Sequence, residues 1–175
     1  MDTLLDNYLQ MVARVDALCR GIRAVLSSQI TCSEGCSSCC TAITLFPVEA
    51  AALEAALAAL PEAERTAIHR HVAAHEGDER CPLLEEHRCL LYAARPIICR
   101  THGLPIIYTE GNERKVDCCP LNLNEGEQPL SGSAVIDIDR LNELLVAVNA
   151  LFVSHADVDG LPERLTIAEA LKVKP

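Results

Sequence analysis

Nine of the ten cysteines in this 175-residue chain fall between positions 32 and 119: Cys32, Cys36, Cys39 and Cys40, then Cys81, Cys89 and Cys99, then Cys118 and Cys119. The first four read C-x3-C-x2-C-C within nine residues. Short loops of this kind bring several thiolates to one point at little loop-closure cost, which is why metal sites use them. Four thiolates saturate one tetrahedral zinc ion, and four hold one 4Fe–4S cluster, so eight or nine exceed the needs of one simple centre. Two adjacent centres, or one centre beside spare thiols, are the arrangements to consider. Side chains of adjacent residues often diverge, so Cys39 and Cys40 can serve different centres or leave one thiol packed nearby, and the same holds for Cys118 and Cys119. Neither zinc-finger spacing nor a ferredoxin run is reproduced, although Cys81-Pro82 and Cys119-Pro120 lean toward iron–sulfur.

Other side chains near the cysteines could take part. Arg95 and Arg100 flank Cys99 and can donate to a thiolate or sulfide, offsetting a cofactor's negative charge, or bind an acidic substrate; pinning of the loop through carbonyl oxygens is the plainer role. His102 completes Cys99-x2-His102, but with thiolates in excess a non-ligand role is expected. Tyr92 is expected to pack as a core anchor. His69, His71 and His75 lie on a predicted helix, the last two on one face, and are read as a solvated surface. Cys19 falls inside an apolar stripe and is set apart as a small core residue.

The elements that must position these groups are mainly helical. Half of the residues are apolar, five are aromatic and none is Trp, a composition suited to packed helices of Leu, Ala, Val and Ile. Leu4, Tyr8, Val12, Val15, Leu18, Cys19, Ile22 and Leu26 define one face of a long first helix. Pro47 opens a second, Pro61 separates it from a third, and Leu141, Leu144, Leu145, Val148, Leu151 and Phe152 mark a fourth, capped by Asp137 or Asp139. Thr166-Ile167-Ala168-Glu169 matches a capping box for a short last helix. Between Gly77 and Leu130 repeated Pro and Gly break the period, and a hairpin is expected around Glu110-Gly111-Asn112-Glu113. The predicted architecture is mainly α: one domain over 1–175, with four or five helices around one core, a short β-hairpin and an irregular cysteine-rich metal lobe over about 32–124.

A formal charge of −10 would repel a phosphate backbone, so nucleic-acid and anionic-membrane partners are disfavoured. The chain start lacks the pattern of a signal peptide, and no stretch is long and uncharged enough to span a bilayer. A cytoplasmic location is expected, where clustered cysteines are better read as metal ligands than as disulfides.

The run from Cys32 to Cys40, Cys81-Pro82-Leu83-Leu84, the stretch from Cys89 through Arg95-Pro96 to Cys99-Arg100, and Cys119-Pro120-Leu121-Asn122 together resemble the YkgJ-type cysteine-cluster family. That resemblance implies a zinc- or iron-chelating domain with metal ligands among Cys32, Cys36, Cys39, Cys40, Cys81, Cys89, Cys99 and Cys119. Flagellin lysine N-methylase is an enzymatic relative of the family, but it is larger, and no separate motif for a methyl donor stands here. Cys118 is additional to the family's pattern. The expected function is a metal-binding protein, holding zinc or an iron–sulfur cluster, in electron transfer, redox sensing or an accessory role with a redox or protein partner. A metal-dependent enzyme catalysing group transfer or protein modification is one alternative, and an interaction module built on a structural metal is the other.

Overall fold

A long amphipathic helix, α1 (Asp2–Val25), turns Tyr8, Met11, Val15, Cys19 and Ile22 inward and opens the fold. The computed structural model describes residues 2–33, 35–123, 130, 132–156 and 160–172, so Glu34 and the stretch 124–129, at the end of the expected metal region, lie outside the described residues, as do Ser131 and residues 173–175. After α1 come β1 (Thr44–Leu45), α2 (Pro47–Ala58), α3 (Glu62–Ala74), β2 (Leu84–Glu85), β3 (Arg88–Cys89), α4 (Ile97–Thr101), β4 (Ile106–Glu110), β5 (Glu113–Asp117), β6 (Ile136–Asp137), α5 (Ile138–His155), β7 (Leu165–Thr166) and α6 (Ile167–Ala170). The protein is mainly helical. Its described residues form six helices, and the one without a sequence expectation is α4, a five-residue turn of helix that carries Cys99.

Pro47 at the first turn of α2 and the Thr166 hydroxyl, which accepts from the Glu169 N–H, start their helices as the local chemistry dictates. Asp137 caps α5 by accepting from the Arg140 N–H. The apolar line of α5 is narrower than expected: Leu141 and Leu145 are buried and Val148 and Phe152 pack beside them, but Leu144 is 52% exposed and Leu151 45%. At about 100° per residue, positions 144 and 151 fall some 70–90° off the 141–145–148–152 line.

The sheets are small. β4 pairs antiparallel with β5, Ile106 opposite Asp117, and parallel with β6, Ile106 opposite Ile136. β1 pairs with β7, and β2 with β3. Instead of one core there are two apolar clusters. The first joins α1 to α5, Val48, Ile97, Leu104 and Ile136. The second joins α2 and α3 to α6, Leu83 and Leu91. Ile97, Leu104, Leu83 and Leu91 all belong to the Pro- and Gly-broken stretch, so the cysteine region is keyed into both clusters by side chains that its irregular backbone still aims inward.

Among the described residues, no helix is long and apolar enough to cross a membrane.

Candidate metal centre

The first cysteine loop is fixed at both ends by backbone pairing. Leu123 N–H donates to Gln29 O at 2.9 Å, tying the exit of β5 to the end of α1. At the other end Cys81 N–H donates to Cys40 O at 3.2 Å and Ala42 N–H to Glu79 O at 2.9 Å, with Thr41 and Arg80 forming a bridge between them. Cys119 is thereby brought to the start of the loop and Cys81 to its finish.

At the start, Asn122 is the organising group. It is buried, its Oδ1 accepts from Thr31 N–H at 2.9 Å, and its Nδ2 donates to Gly103 O at 2.5 Å and to Cys32 Sγ at 3.4 Å. Arg23 holds the Cys32 carbonyl at 2.9 Å. Gly103 has φ +87°, and a Cβ there would lie 2.8 Å from Cys32 Sγ and 3.7 Å from Cys119 Cβ. Glycine therefore serves twice, for its left-handed backbone and for the room it leaves the thiol. Cys32 faces Cys119 and Cys36, and Cys39 faces Cys40, Cys36 and Cys119. Cys36 and Cys39 are exposed. Burial raises the Cys32 and Cys39 thiols, whereas the Ser38 hydroxyl beside Cys36 lowers that one.

At the finish of the loop the environment is drier. Cys81 and Cys89 pack against the second apolar cluster, and Cys89 sits opposite Leu84 in the β2–β3 pair. The turn between those strands places Glu86 at φ 45° and His87 at φ 66°, two left-handed non-glycine residues. Such strain persists where surroundings impose it. Here Ser37 Oγ and His87 Nδ1 share a hydrogen bond at 2.9 Å, and Arg80 donates to Ser37 O at 2.9 Å, so the turn is tied to the cysteine loop. Cys99 is presented by α4, whose first N–H, on Ile97, is accepted by the buried Glu49 carboxylate at 3.1 Å; the other oxygen of that carboxylate accepts from Phe46 N–H at 3.2 Å. Cys99 faces Cys81, Cys89 and Cys40, and its thiol is pushed up to about 12, by burial first and then by those three neighbours, with Arg95 pulling the other way. Burial likewise raises Cys40, Cys81 and Cys89.

The arginines beside Cys99 are occupied elsewhere. Arg100 donates from Nη1 to both Asp16 oxygens at 2.9 and 2.7 Å, from Nη2 to Ala93 O and from Nε to Arg95 O, each at 2.6 Å. It pins the turn before α4 to α1. Arg95 lies 3.5 Å above the centre of the Tyr92 ring and donates to Tyr92 O at 2.9 Å. Tyr92 is 42% exposed, not a core anchor, because Arg95 covers its ring from outside. His102 is exposed and lines an open cleft of about 570 Å3 together with Cys39, Cys118, Cys119, Ile98 and Leu121. Cys118 thus stands at the cleft beside Asp117, and burial and that carboxylate raise its thiol. Cys19 is buried in the first cluster, where its thiol lies 3.6 Å from Arg100 O.

The histidines of α3 are not a free solvated face. His69 bonds Leu171 O at 2.9 Å, His71 bonds Leu84 O at 3.2 Å and lies 3.4 Å from the Glu85 carboxylate, and His75 stacks on His71. His69 and His71 brace α3 against the end of α6 and β2, whereas His75 is exposed as expected and bonds only back to His71.

Convergence of Cys36, Cys39, Cys89 and Cys99 on one point is the simplest expectation for so many loop thiols; Cys36 and Cys39 neighbour Cys119, Cys89 and Cys99 neighbour Cys81, and Cys40 stands beside both groups. Asn122, Gly103 and Glu49 are positioning residues without a chemical signature of their own; Asn122 alone stands in a recognisable motif, Cys119-Pro120-Leu121-Asn122. The donor set is soft and rich in thiols, which suits zinc or an iron–sulfur cluster, and neighbouring thiols that raise one another's proton affinity are what a cation would relieve. Among the described residues no three His, Cys, Asp or Glu side chains are already drawn up around one ion, so ligation takes further closure of the thiols.

A family model described as "CxxCxxCC: Putative zinc- or iron-chelating domain" matches residues 31–122, 92 of the 175. No curated protein and no solved structure matches the chain.

Proposed function

The chain belongs to the CxxCxxCC family of zinc- or iron-chelating domains, and from that membership we propose that it works as a metal–thiolate protein in electron transfer, redox sensing or an accessory role. The ligands are Cys32, Cys36, Cys39, Cys40, Cys81, Cys89, Cys99 and Cys119. The observation that carries the reading is that bonds between distant residues draw these thiols in from four separate stretches of chain: Asn122 and Gly103 around Cys32, Glu49 beneath the helix of Cys99, and the pairing of Cys40 with Cys81. Zinc would supply a structural or exchangeable tetrahedral centre, and an iron–sulfur cluster an electron carrier. Arg80 and Arg95 lie where their charge favours the thiolate form of the inner cysteines. A redox or protein partner would meet the exposed Cys36 and Cys39. Ten unpaired cysteines fit the cytoplasm.

The cleft beside Cys39 and Cys119 favours a second reading, a metal-dependent enzyme that binds its substrate there with His102 at hand. Anaerobic purification followed by elemental analysis, acid-labile sulfide assay and a visible spectrum tests the first reading. Zinc, or iron with stoichiometric sulfide, is expected; a native protein free of metal with all ten thiols reactive would overturn it.

A further inference from the structure

We propose that the eight cysteines make two four-thiolate sites, Cys40, Cys81, Cys89 and Cys99 in one and Cys32, Cys36, Cys39 and Cys119 in the other, which adjoin at the Cys39–Cys40 pair. This rests on the metal–thiolate reading above and adds to it the assignment of each ligand.

Backbone pairing assembles the first set. Cys81 N–H bonds Cys40 O, and the turn that follows, Leu84 N–H to Cys81 O at 2.9 Å, leads into the strand pair that sets Cys89 opposite Leu84. Three of the inner thiols are thus fixed by one continuous run of main-chain bonds, and α4 brings in Cys99 as the fourth. The outer set is closed by a different device. Gly103 leaves space that Cys32 Sγ and Cys119 fill together, and Asn122 ties that corner down. A 3-residue and a 2-residue spacer then carry the chain from Cys32 to Cys36 and Cys39, over the same cleft that Cys119 lines.

The chemistry of the two sets differs in the same sense. Hydrogen-bond partners of the outer sulfurs are neutral, the Asn122 amide at Cys32 and the Ser38 hydroxyl at Cys36, at 3.4 and 3.6 Å. The inner thiols face the cations Arg80 and Arg95 and pack on apolar side chains. A four-thiolate zinc or 4Fe–4S unit carries a charge of about −2, which is supported by arginine in a dry setting and by water in an open one. Each set has the donor number of one centre. Cys118, facing Asp117 at the cleft wall, and Cys19, in the apolar core, belong to neither.

Loading of the metal-free full-length chain with Co2+ and with Zn2+ under anaerobic conditions tests this. Two equivalents per chain are expected, falling to one in Cys32→Ser/Cys119→Ser and to one in Cys81→Ser/Cys99→Ser. Thiol alkylation read by mass spectrometry should find the untouched set protected in each. Should the inner pair of substitutions prevent folding, Cys36→Ser/Cys39→Ser, at two exposed positions, carries the test alone and must keep one equivalent with Cys40, Cys81, Cys89 and Cys99 protected. A single equivalent in the wild type, or loss of all metal on changing either pair, means one shared or polynuclear centre and overturns the proposal while leaving chelation standing. No metal bound by the wild type would instead bring down the metal–thiolate reading itself.

Discussion

Cys99 and Cys32 are held in place by opposite means. Around Cys99 the chain relies on apolar packing, with Ile97, Leu83 and Leu91 buried in the two clusters and a buried carboxylate supplying the backbone acceptor that α4 needs. Around Cys32 it relies on one buried amide, one glycine and a loop whose outer cysteines meet solvent. The inner region should therefore share the stability of the whole molecule, whereas the outer one should open and close by itself.

The sharpest way to break the comparison is at Glu49. Replacement by Ala leaves the Ile97 and Phe46 N–H groups buried without an acceptor, each a loss of about 1–3 kcal/mol, so Glu49→Ala should cost about 3 kcal/mol in urea unfolding and disturb Cys99 more than Cys32. Burial raises the Glu49 pKa above the usual carboxylate range, although its two N–H donors pull it down. The folded state therefore holds that proton more tightly than the unfolded chain. Its contribution to stability is full below the unfolded carboxylate pKa and is lost as pH rises through the raised folded value. Glu49→Ala should remove that part of the pH profile, and a variant whose slope matches the wild type would show that the carboxylate is not held as described.

The outer region is tested by Asn122 and Gly103. Asn122→Ala strips partners from Thr31 N–H, at an exposed residue, and from the buried Gly103 O, at about 1–3 kcal/mol for the buried carbonyl, and should make Cys32 and Cys36 react faster with a thiol reagent while Cys89 and Cys99 stay slow. Gly103→Ala should cost less, about 1–2 kcal/mol for the left-handed backbone, plus whatever displacement Cys32 Sγ must make for a methyl group 2.8 Å away. Its signature is selective: fast thiol reaction confined to Cys32 and its neighbours. Uniform acceleration across all cysteines in either variant would erase the distinction between the two regions.

Much of this arrangement was legible in the sequence, and the exceptions have physical causes. The stripe on α1, apart from Leu18, which is exposed, and the start of α6 follow from local rules, a 3.6-residue period and a Thr-x-x-Glu cap, and need no distant partner. The cysteines announced themselves by type and spacing. The devices that sort them did not, because Asn122, Gly103 and Glu49 act through residues 19 to 91 positions away. Arg100 does pin its loop through carbonyl oxygens, the plainer of the roles read from the sequence, but its anchor Asp16, 84 positions earlier, was beyond any local signal. Short segments such as α4 and β2–β3 escaped for another reason. They are too brief for a period to show and are set by the packing of Ile97, Leu83 and Leu91 against helices formed elsewhere.

The smallest effect is expected at Cys19, and it bears on whether the cysteine lobe is a region distinct from the helical core at all. Cys19 is buried on the inward face of α1 among Val15, Ile22 and Ile97, and burial raises its thiol, so it resists the ionisation that ligation requires. Among the described residues its one polar contact is a 3.6 Å approach to Arg100 O, weak for a thiol donor. Cys19→Ala therefore removes an atom of methyl size from the core and should cost about 1 kcal/mol with no change in metal content. Cys39→Ala and Cys99→Ala are the controls, since each takes a ligand from a site whose binding is coupled to folding. Metal-to-protein ratios for the three variants decide the matter. Because Arg100 follows Cys99 directly, loss of metal from Cys19→Ala equal to that from Cys99→Ala would mean that α1 transmits its packing through that carbonyl to the inner thiols, and the core and the lobe would have to be treated as one cooperative unit.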